Sequence, residues 1–317
     1  MGMTLPITGY ENFDHLVAAL VETWPQHAKF MRRNISERSE TDLRFSEFLS
    51  TIILSIARSK QGGLTTLIDD YRFLCERIVM PEELHFRRTG GYRLNSFEEA
   101  YRLVYSDSVF MTKYMNGLLF SDVIWVNHCR SMMNYTSSYL AGLSSGSRML
   151  EIGPGHGLLL HLATLQEKVG HLTAWDISDA SLVLASSTLE ILGSRKKVEF
   201  ERRNIFSDDV MSSSFADKFD GIVLSEVLEH LEDPLRALKV LHHLTRPGGT
   251  VWINVPSNSP APDHLYLVEE AADVERLLEY AGFEIRDSVT YPTTGATVES
   301  AKMNKLTSNC VITALKP

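Results

Sequence analysis

The sequence predicts an α/β protein whose N-terminal part is all-helical, and three observations carry that reading. Residues 150 to 157 read Leu-Glu-Ile-Gly-Pro-Gly-His-Gly: an acidic residue closes an apolar run, three alternate glycines follow, and a helical stretch begins at once. A second short apolar run, Leu172 to Trp175, ends in Asp176, 21 residues beyond Gly155, as a strand ending in a carboxylate does in nucleotide-binding α/β units. The first 145 residues, by contrast, place their apolar side chains at helical rather than strand spacing.

Taken in order, Phe13, Leu16, Val17, Leu20, Val21 and Trp24 form the apolar stripe of one helix, and Phe45, Phe48, Leu49, Ile52, Ile53 and Ile56 that of a second. Leu64, Leu67, Ile68, Tyr71, Leu74, Cys75 and Ile78 give a third, expected to stop near Pro81, and Phe97, Ala100, Tyr101, Val104 and Tyr105 a fourth. Ser144-Ser145-Gly146-Ser147 reads as the linker to the α/β part. Beyond Asp176, Val198 to Phe206 gives a short strand ending at Asn204, and Lys218 to Ser225 gives a fourth strand. Leu244 to Ile253 gives a helix end, a Pro-Gly-Gly turn and a buried fifth strand.

The glycine loop, Asp176, Asn204 and the Pro-Gly-Gly turn, in this order, resemble the cofactor site of class I S-adenosylmethionine (SAM)-dependent methyltransferases over about residues 146–317. The resemblance implies an α/β fold with a seven-stranded Rossmann-like sheet. Its last two strands would be Phe283–Tyr291 and Cys310–Lys316, the final one antiparallel. Residues 1–145 would then be a helical lid or substrate domain, and 146–317 the SAM-binding catalytic domain. Glu151 agrees with SAM on physical grounds. A carboxylate beside the loop repels the pyrophosphate of a dinucleotide and attracts the amino group and sulfonium of SAM. The expected cofactor contacts are Glu151, Gly153, Gly155, Gly157, Asp176, Ile177, Asn204, Ile205 and Ser225. Residues 105–119 are faintly similar to the lid helices of assembly-line C-methyltransferase domains. This similarity adds Tyr114 and Asn116 near the methionine end of SAM, and Trp125, Asn127, His128 and Tyr135 on the acceptor side.

The tract Ser225-Glu226-Val227-Leu228-Glu229-His230 holds the most specific chemistry after the loop. A helix beginning near Ser225 would set Glu226, Glu229 and His230 on one face. The Glu-x-x-Glu-His pattern resembles the divalent-metal site of small-RNA 2′-O-methyltransferases and ubiquinone-pathway O-methyltransferases. It implies Mg²⁺, Mn²⁺ or Fe²⁺ on Glu226, Glu229, His230 and His264. A similar string in metal-free relatives only caps and packs the helix, so both readings stand. His264, in the proline-rich loop 254–266 with Asp263 and Tyr266, is a fourth ligand in one reading and a general base in the other. The candidate catalytic residues are therefore His264, Asp263, His230 and Glu226.

Charge narrows the acceptor. Residues 1–145 hold 15 Lys/Arg against 16 Asp/Glu, and residues 146–317 hold 16 against 24, giving the net −9 of the chain. Nucleic-acid enzymes present basic surfaces, because phosphate neutralisation supplies much of their affinity. A small polar metabolite is the expected acceptor: an amino acid, a 2-oxo acid, a phenol or a carrier-bound acyl group, with a role in specialised metabolism. The alternatives are a 2′-O- or other nucleic-acid methyltransferase using the same metal site, a protein that binds SAM without catalysis, and an NAD(P)-dependent oxidoreductase. Cys75, Cys129 and Cys310 show neither zinc spacing nor a disulfide framework. The apolar runs are shorter than a membrane span and the N-terminus lacks a signal pattern, so no membrane association and a cytoplasmic location are expected.

Overall fold

The structure, a computed structural model, describes residues 6–317. Its helical part comprises α1 (Glu11–Thr23), α2 (Ala28–Ser36), α3 (Glu40–Ser59), α4 (Gly63–Phe73), α5 (Met80–Thr89), α6 (Phe97–Ala100), α7 (Ser108–Ile124) and α8 (Val126–Asn134). The sheet part follows as β1 (Ser147–Ile152), α9 (Leu158–Thr164), β2 (Val169–Asp176), α10 (Asp179–Ile191), β3 (Val198–Arg202), β4 (Phe219–Ser225), α11 (Pro234–Leu244) and β5 (Thr245–Ser257). It closes with α12 (Ala271–Tyr280), β6 (Glu284–Pro292), α13 (Val298–Asn304) and β7 (Ser308–Leu315).

The sheet has seven strands in the order β3-β2-β1-β4-β5-β7-β6. The five strands β1 to β5 pair in parallel, and β7 runs antiparallel between β5 and β6. All seven strands expected from the sequence are present, including the antiparallel last one. The order reverses beside β1, and this crevice outside the strand ends is where α/β sheets bind ligands. Strand alternation divides the core: Met149 joins a cluster on one face of the sheet and Leu150 a cluster on the other. The first cluster runs without a break from Phe13, Ile53 and Tyr71 through Phe120 and Tyr135 to Trp252 and Val311, so the helical part and the sheet share one core. The second packs Leu238 of α11 and Leu278 of α12 on Ile222 and Ile253.

Sequence chemistry sets the helix ends. Ser39 and Asp42 form a reciprocal capping box at the start of α3, and the Asp107 carboxylate accepts from Val109 and Phe110 N–H at the start of α7. Three π-helical turns, Leu74–Val79, Tyr101–Tyr105 and Tyr135–Leu140, interrupt the helical part. The first corrects the reading at Pro81. The chain does not stop there but passes through the turn into α5, with Pro81 in the opening turn of that helix, where a missing N–H costs little. The segment read as a fourth helix is the four-residue α6 followed by the second π turn. The backbone at the α7–α8 junction is clamped by two buried side chains. Arg38 donates to the carbonyls of Val123 (2.7 Å) and Ile124 (3.0 Å), and Asn34 Nδ2 donates to Ile124 O at 2.9 Å. No helix among the described residues is long and apolar enough to cross a membrane.

Candidate active site

A single cavity of about 1430 Å³ lies between the carboxyl ends of β1, β2, β4 and β5 and the helices α7 and α8. Ligand pockets usually measure ~300–1,000 Å³, so this one has room for a cofactor and an acceptor together. The three glycines do different work at its floor. Gly153 and Gly155 line it in left-handed conformations (φ 71° and 52°). Gly157 (φ 81°) does not line it. A side chain there would meet the Ala185 backbone at 2.8 Å, so it is a helix-packing glycine rather than a cofactor contact. Ile205, also expected at the cofactor, is buried in the second core cluster and does not line the cavity.

The end of β1 carries Glu151, which is 2 % exposed, with Oε2 lacking any hydrogen-bond partner among the described residues. Burial pushes its carboxyl well above the usual value of 4.5. A cationic group in the cavity would supply the missing partner. Asp176 ends β2, its carboxylate accepting from Ser178 N (2.8 Å) and Ser181 Oγ (2.6 Å), and burial raises its pKa as well. Asn204 stands just past β3, where Oδ1 accepts from Phe206 N at 2.9 Å and the amide nitrogen has no hydrogen-bond partner among the described residues. Asp176, Ile177, Asn204 and Ser225 all face the cavity.

No helix begins at Ser225. That residue ends β4, Glu226 takes the left-handed region (φ 53°) with its N–H on Asn254 O, and Leu228–His230 form one 3₁₀ turn. The α-helix starts only at Pro234, with the Asp233 side chain capping Arg236 N at 3.0 Å. The three-residue face expected of Glu226, Glu229 and His230 therefore does not form. Glu226 is drawn aside, its Oε1 accepting from Asn254 Nδ2 (3.0 Å) and Asn309 Nδ2 (2.8 Å). Asn309 is in turn held by Asn127, whose Nδ2 donates to its Oδ1 at 2.6 Å.

Glu229 and His230 instead converge on His264. One ligand atom of each lies within 4.8 Å of the others. The Glu229 carboxylate is fully buried, and neither oxygen has a hydrogen-bond partner among the described residues. Burial, reinforced by Glu226, raises its pKa well above 4.5. The imidazoles explain why nothing donates to it. His264 Nδ1–H donates to Ser259 O (2.7 Å) and His230 Nδ1–H to Asp263 O (3.0 Å), so each ring turns an Nε2 lone pair inward. Those nitrogens lie 3.9 and 3.8 Å from Glu229 Oε1. Burial, aided by His230, lowers the His264 pKa to about 4. The backbone carbonyl of Glu229 accepts from Leu265 N (2.8 Å) and Tyr266 N (2.9 Å), which pins the loop that brings His264. Asp263 is tied to the helical part: Oδ2 accepts from Tyr105 OH (3.0 Å) and Oδ1 from Tyr114 OH (3.2 Å). Tyr114 lines the cavity while its hydroxyl donates to this loop.

Helices α7 and α8 form the facing wall. Asp122, 5 % exposed, sits between two imidazoles. His128 Nδ1 is 3.3 Å from Oδ1, and His156 Nε2 of the glycine loop is 3.1 Å from Oδ2, off the line of a good hydrogen bond. Trp125, Asn127 and His128 line the cavity as expected, and Asn116 lines it while donating to Asp70 Oδ2 at 2.8 Å. Tyr135 does not line it. It lies fully buried against Trp252, with ring centroids 5.0 Å apart. Sequence reasoning missed Asp122, Asn254 and Asn309. Only Asp122 left a signal, as a lone acid inside the apolar run from Leu118 to Trp125.

Residues 128–288 match the family described as "Methyltransferase domain". A ubiquinone biosynthesis O-methyltransferase from Pseudomonas aeruginosa (strain UCBPP-PA14) is 28% identical over 156 residues, 49% of this chain and 63% of that protein. One from Aromatoleum aromaticum is 31% identical over 138 residues, 44% of this chain and 55% of that protein. The chain thus spans less than two thirds of these curated relatives. Among solved structures, the [4+2]-cyclase SpnF aligns with a TM-score of 0.48 at 18% identity, covering 60% of this chain and 81% of that one. A putative methyltransferase from Bacillus halodurans aligns with a TM-score of 0.46 at 14% identity, covering 59% and 98%. With half its length matching that family and its glycine loop opening on the crevice of a seven-stranded sheet, the chain belongs to the methyltransferase-domain family and carries the class I methyltransferase fold.

Proposed function

We propose that the protein transfers the methyl group of SAM to an oxygen of a small-molecule acceptor held against Glu229, His230 and His264, with a divalent cation on those three residues. The observation that carries this reading is the Glu229 carboxylate: buried, with both oxygens unpartnered, and facing two imidazole lone pairs. A buried carboxylate with no donor near it is costly, and a cation matches both it and the lone pairs. One carboxylate with two imidazoles suits Mn²⁺ or Fe²⁺ better than Mg²⁺, which prefers oxygen ligands. When bound, the ion would polarise an acceptor oxygen as a Lewis acid.

The protein's own residues do the rest. Glu151 meets the cationic amino-acid end of SAM, Asp176 the ribose and Asn204 the adenine edge. Tyr105 and Tyr114 hold Asp263, and so the loop carrying His264, against the lid. This closes the cavity and excludes water from an in-line displacement that gains from fixed orientation. The relatives named as O-methyltransferases support oxygen as the accepting atom, and the acidic catalytic half supports a small molecule over nucleic acid.

The test incubates the protein with methyl-labelled SAM and a fractionated metabolite extract, and reads the products by mass spectrometry. Elemental analysis and a metal-stripped sample run alongside. An O-methylated small molecule, formed only with metal present, is expected. Full transfer by the stripped protein would end the metal assignment, and label on RNA or on no acceptor would end the reading as a whole.

A further inference from the structure

Two imidazoles on the cavity wall, His230 and His264, spend their N–H groups on backbone carbonyls and turn their other ring nitrogens toward Glu229. A third, His128, is not committed. Its Nδ1 is engaged by Asp122 Oδ1 and Ser121 Oγ, both at 3.3 Å, and the Trp125 ring stands edge-on at 4.9 Å. That arrangement puts the ring proton on Nδ1. Nε2 makes no hydrogen bond among the described residues, and the residue lines the cavity. A carboxylate that fixes the tautomer while the far nitrogen opens toward substrate is the geometry of an oriented general base.

We propose that His128, oriented by Asp122, is the general base of the methyl transfer. Its Nε2 takes the proton of the acceptor O–H as the oxygen lone pair bonds to the methyl carbon. The carbon–sulfur electron pair returns to sulfur, leaving methylated acceptor, S-adenosylhomocysteine and protonated His128. Asp122 is the positioning residue. Through its second oxygen it touches His156 of the glycine loop, so the base is anchored to the loop that binds the cofactor.

The charged groups facing His128 are consistent with this role. Burial works to lower its pKa, but the hydrogen bond to Asp122 and the charges of Glu226 and Asp122 outweigh it, and the net direction is upward. Asp122 itself is held below its usual value, the hydrogen bond with His128 and the proximity of His156 overcoming its burial. After transfer, Glu226 and Asp122 lie on hand to balance the imidazolium.

The inference rests on the oxygen-acceptor reading above, and the experiment separates the two. Initial rates of label transfer from methyl-labelled SAM to the metabolite extract are measured against pH for wild type, His128→Gln, Asp122→Asn and Glu229→Gln. SAM affinity and metal content are measured alongside, and imidazole NMR follows the titration of His128. His128→Gln should lose ~10²–10⁴-fold in rate with SAM affinity and metal content kept. Asp122→Asn should lose less and move the acidic limb of the profile to lower pH, with the His128 NMR pKa falling in parallel. A purely structural Asp122 would leave that limb in place. If His128→Gln stays within about threefold of wild type while Glu229→Gln is inactive, the base assignment falls and the oxygen-acceptor reading stands. If Glu229→Gln keeps the wild-type rate, or wild type transfers nothing, the reading falls.

Discussion

Two sets of one buried carboxylate and two imidazoles face the cavity, one centred on Asp122 of the lid wall and one on Glu229 of the sheet wall, and they are wired in opposite senses. On the lid wall, His128 and His156 turn ring nitrogens bearing hydrogen toward Asp122, whose carboxyl is held low. On the sheet wall, His230 and His264 spend their N–H groups on backbone carbonyls and turn lone pairs toward Glu229, whose carboxyl is driven up. The ingredients match, and the backbone decides the difference. The carbonyls of Ser259 and Asp263, set by the proline-rich loop, fix the sheet-wall tautomers. The lid-wall set carries its own opposite charges and is ready to handle a proton. The sheet-wall set is incomplete and asks for a cation.

The largest expected effect tests that contrast directly. Glu229→Gln should cost ~10²–10³ in kcat, as loss of a transition-state electrostatic anchor does, and abolish metal uptake. It should also leave the metal-free protein as stable as wild type or more so, because a buried unpaired carboxylate is removed. Asp122→Asn should do the reverse to the fold: metal is retained, while about 1–3 kcal/mol of stability is lost as the His128 N–H loses its charged acceptor. Thermal unfolding of both variants, with and without Mn²⁺, reads this out, and equal behaviour of the two would erase the comparison.

The sequence made the sheet wall more legible than the lid wall, for a physical reason. Strands betray themselves by short apolar runs, and the carboxylates at their ends (Glu151, Asp176) are adjacent in sequence to the turns that use them. Seven strands, and the carboxylates that close two of them at the cavity, were readable that way. The tract 225–230 was misread because helical spacing was extended backward from α11. Asp233-Pro234, a cap followed by a first-turn proline, already marked where that helix starts. The lid wall depends on partners far apart in sequence, such as Asp122 with His156 and Asn127 with Asn309, and no local pattern announces a contact of that kind.

Next in size is the clamp under the lid wall. Arg38 is buried without a carboxylate in contact and donates to two carbonyls at the α7–α8 junction, four residues before His128. Arg38→Met strands the Val123 carbonyl and Asn34 Oδ1, leaves Ile124 O to Asn34 alone, and should cost about 2–4 kcal/mol. It should disturb His128 but not metal binding, since the sheet-wall ligands lie on other elements. Denaturant unfolding gives the loss, and elemental analysis checks that metal stays.

A smaller effect separates the lid by pH. His27 stacks on Trp24 at 4.2 Å and hydrogen-bonds Tyr71 OH at 3.0 Å, and burial lowers its pKa from 6.5 to about 4. Its folded value lies below the unfolded one, and for a base this means the neutral form is favoured by folding. The stability it contributes is present above about pH 6.5 and is lost as pH falls toward 4. Full conversion of that shift gives an upper bound of about 3 kcal/mol. His27→Gln should flatten this acid limb, as monitored by Trp fluorescence, and an unchanged limb would assign the acid sensitivity elsewhere.

The smallest effect is a proton count on the sheet wall. Glu151 has its folded pKa raised well above 4.5, so its contribution to the stability of the free protein is present below about pH 4.5 and is lost as pH rises through the folded value. A cation beside it reverses the preference. Binding of SAM should therefore expel up to about one proton per cofactor, and affinity should climb by up to about tenfold per pH unit until the folded value is passed. Calorimetry in two buffers of different ionisation enthalpy measures that proton. Glu151→Gln should bind SAM more weakly and with a flat pH dependence, because an amide has no proton to release. A wild-type titration that expels no proton would mean the carboxylate is already ionised in the free protein, leaving the sheet wall with one unpartnered acid, Glu229, instead of two.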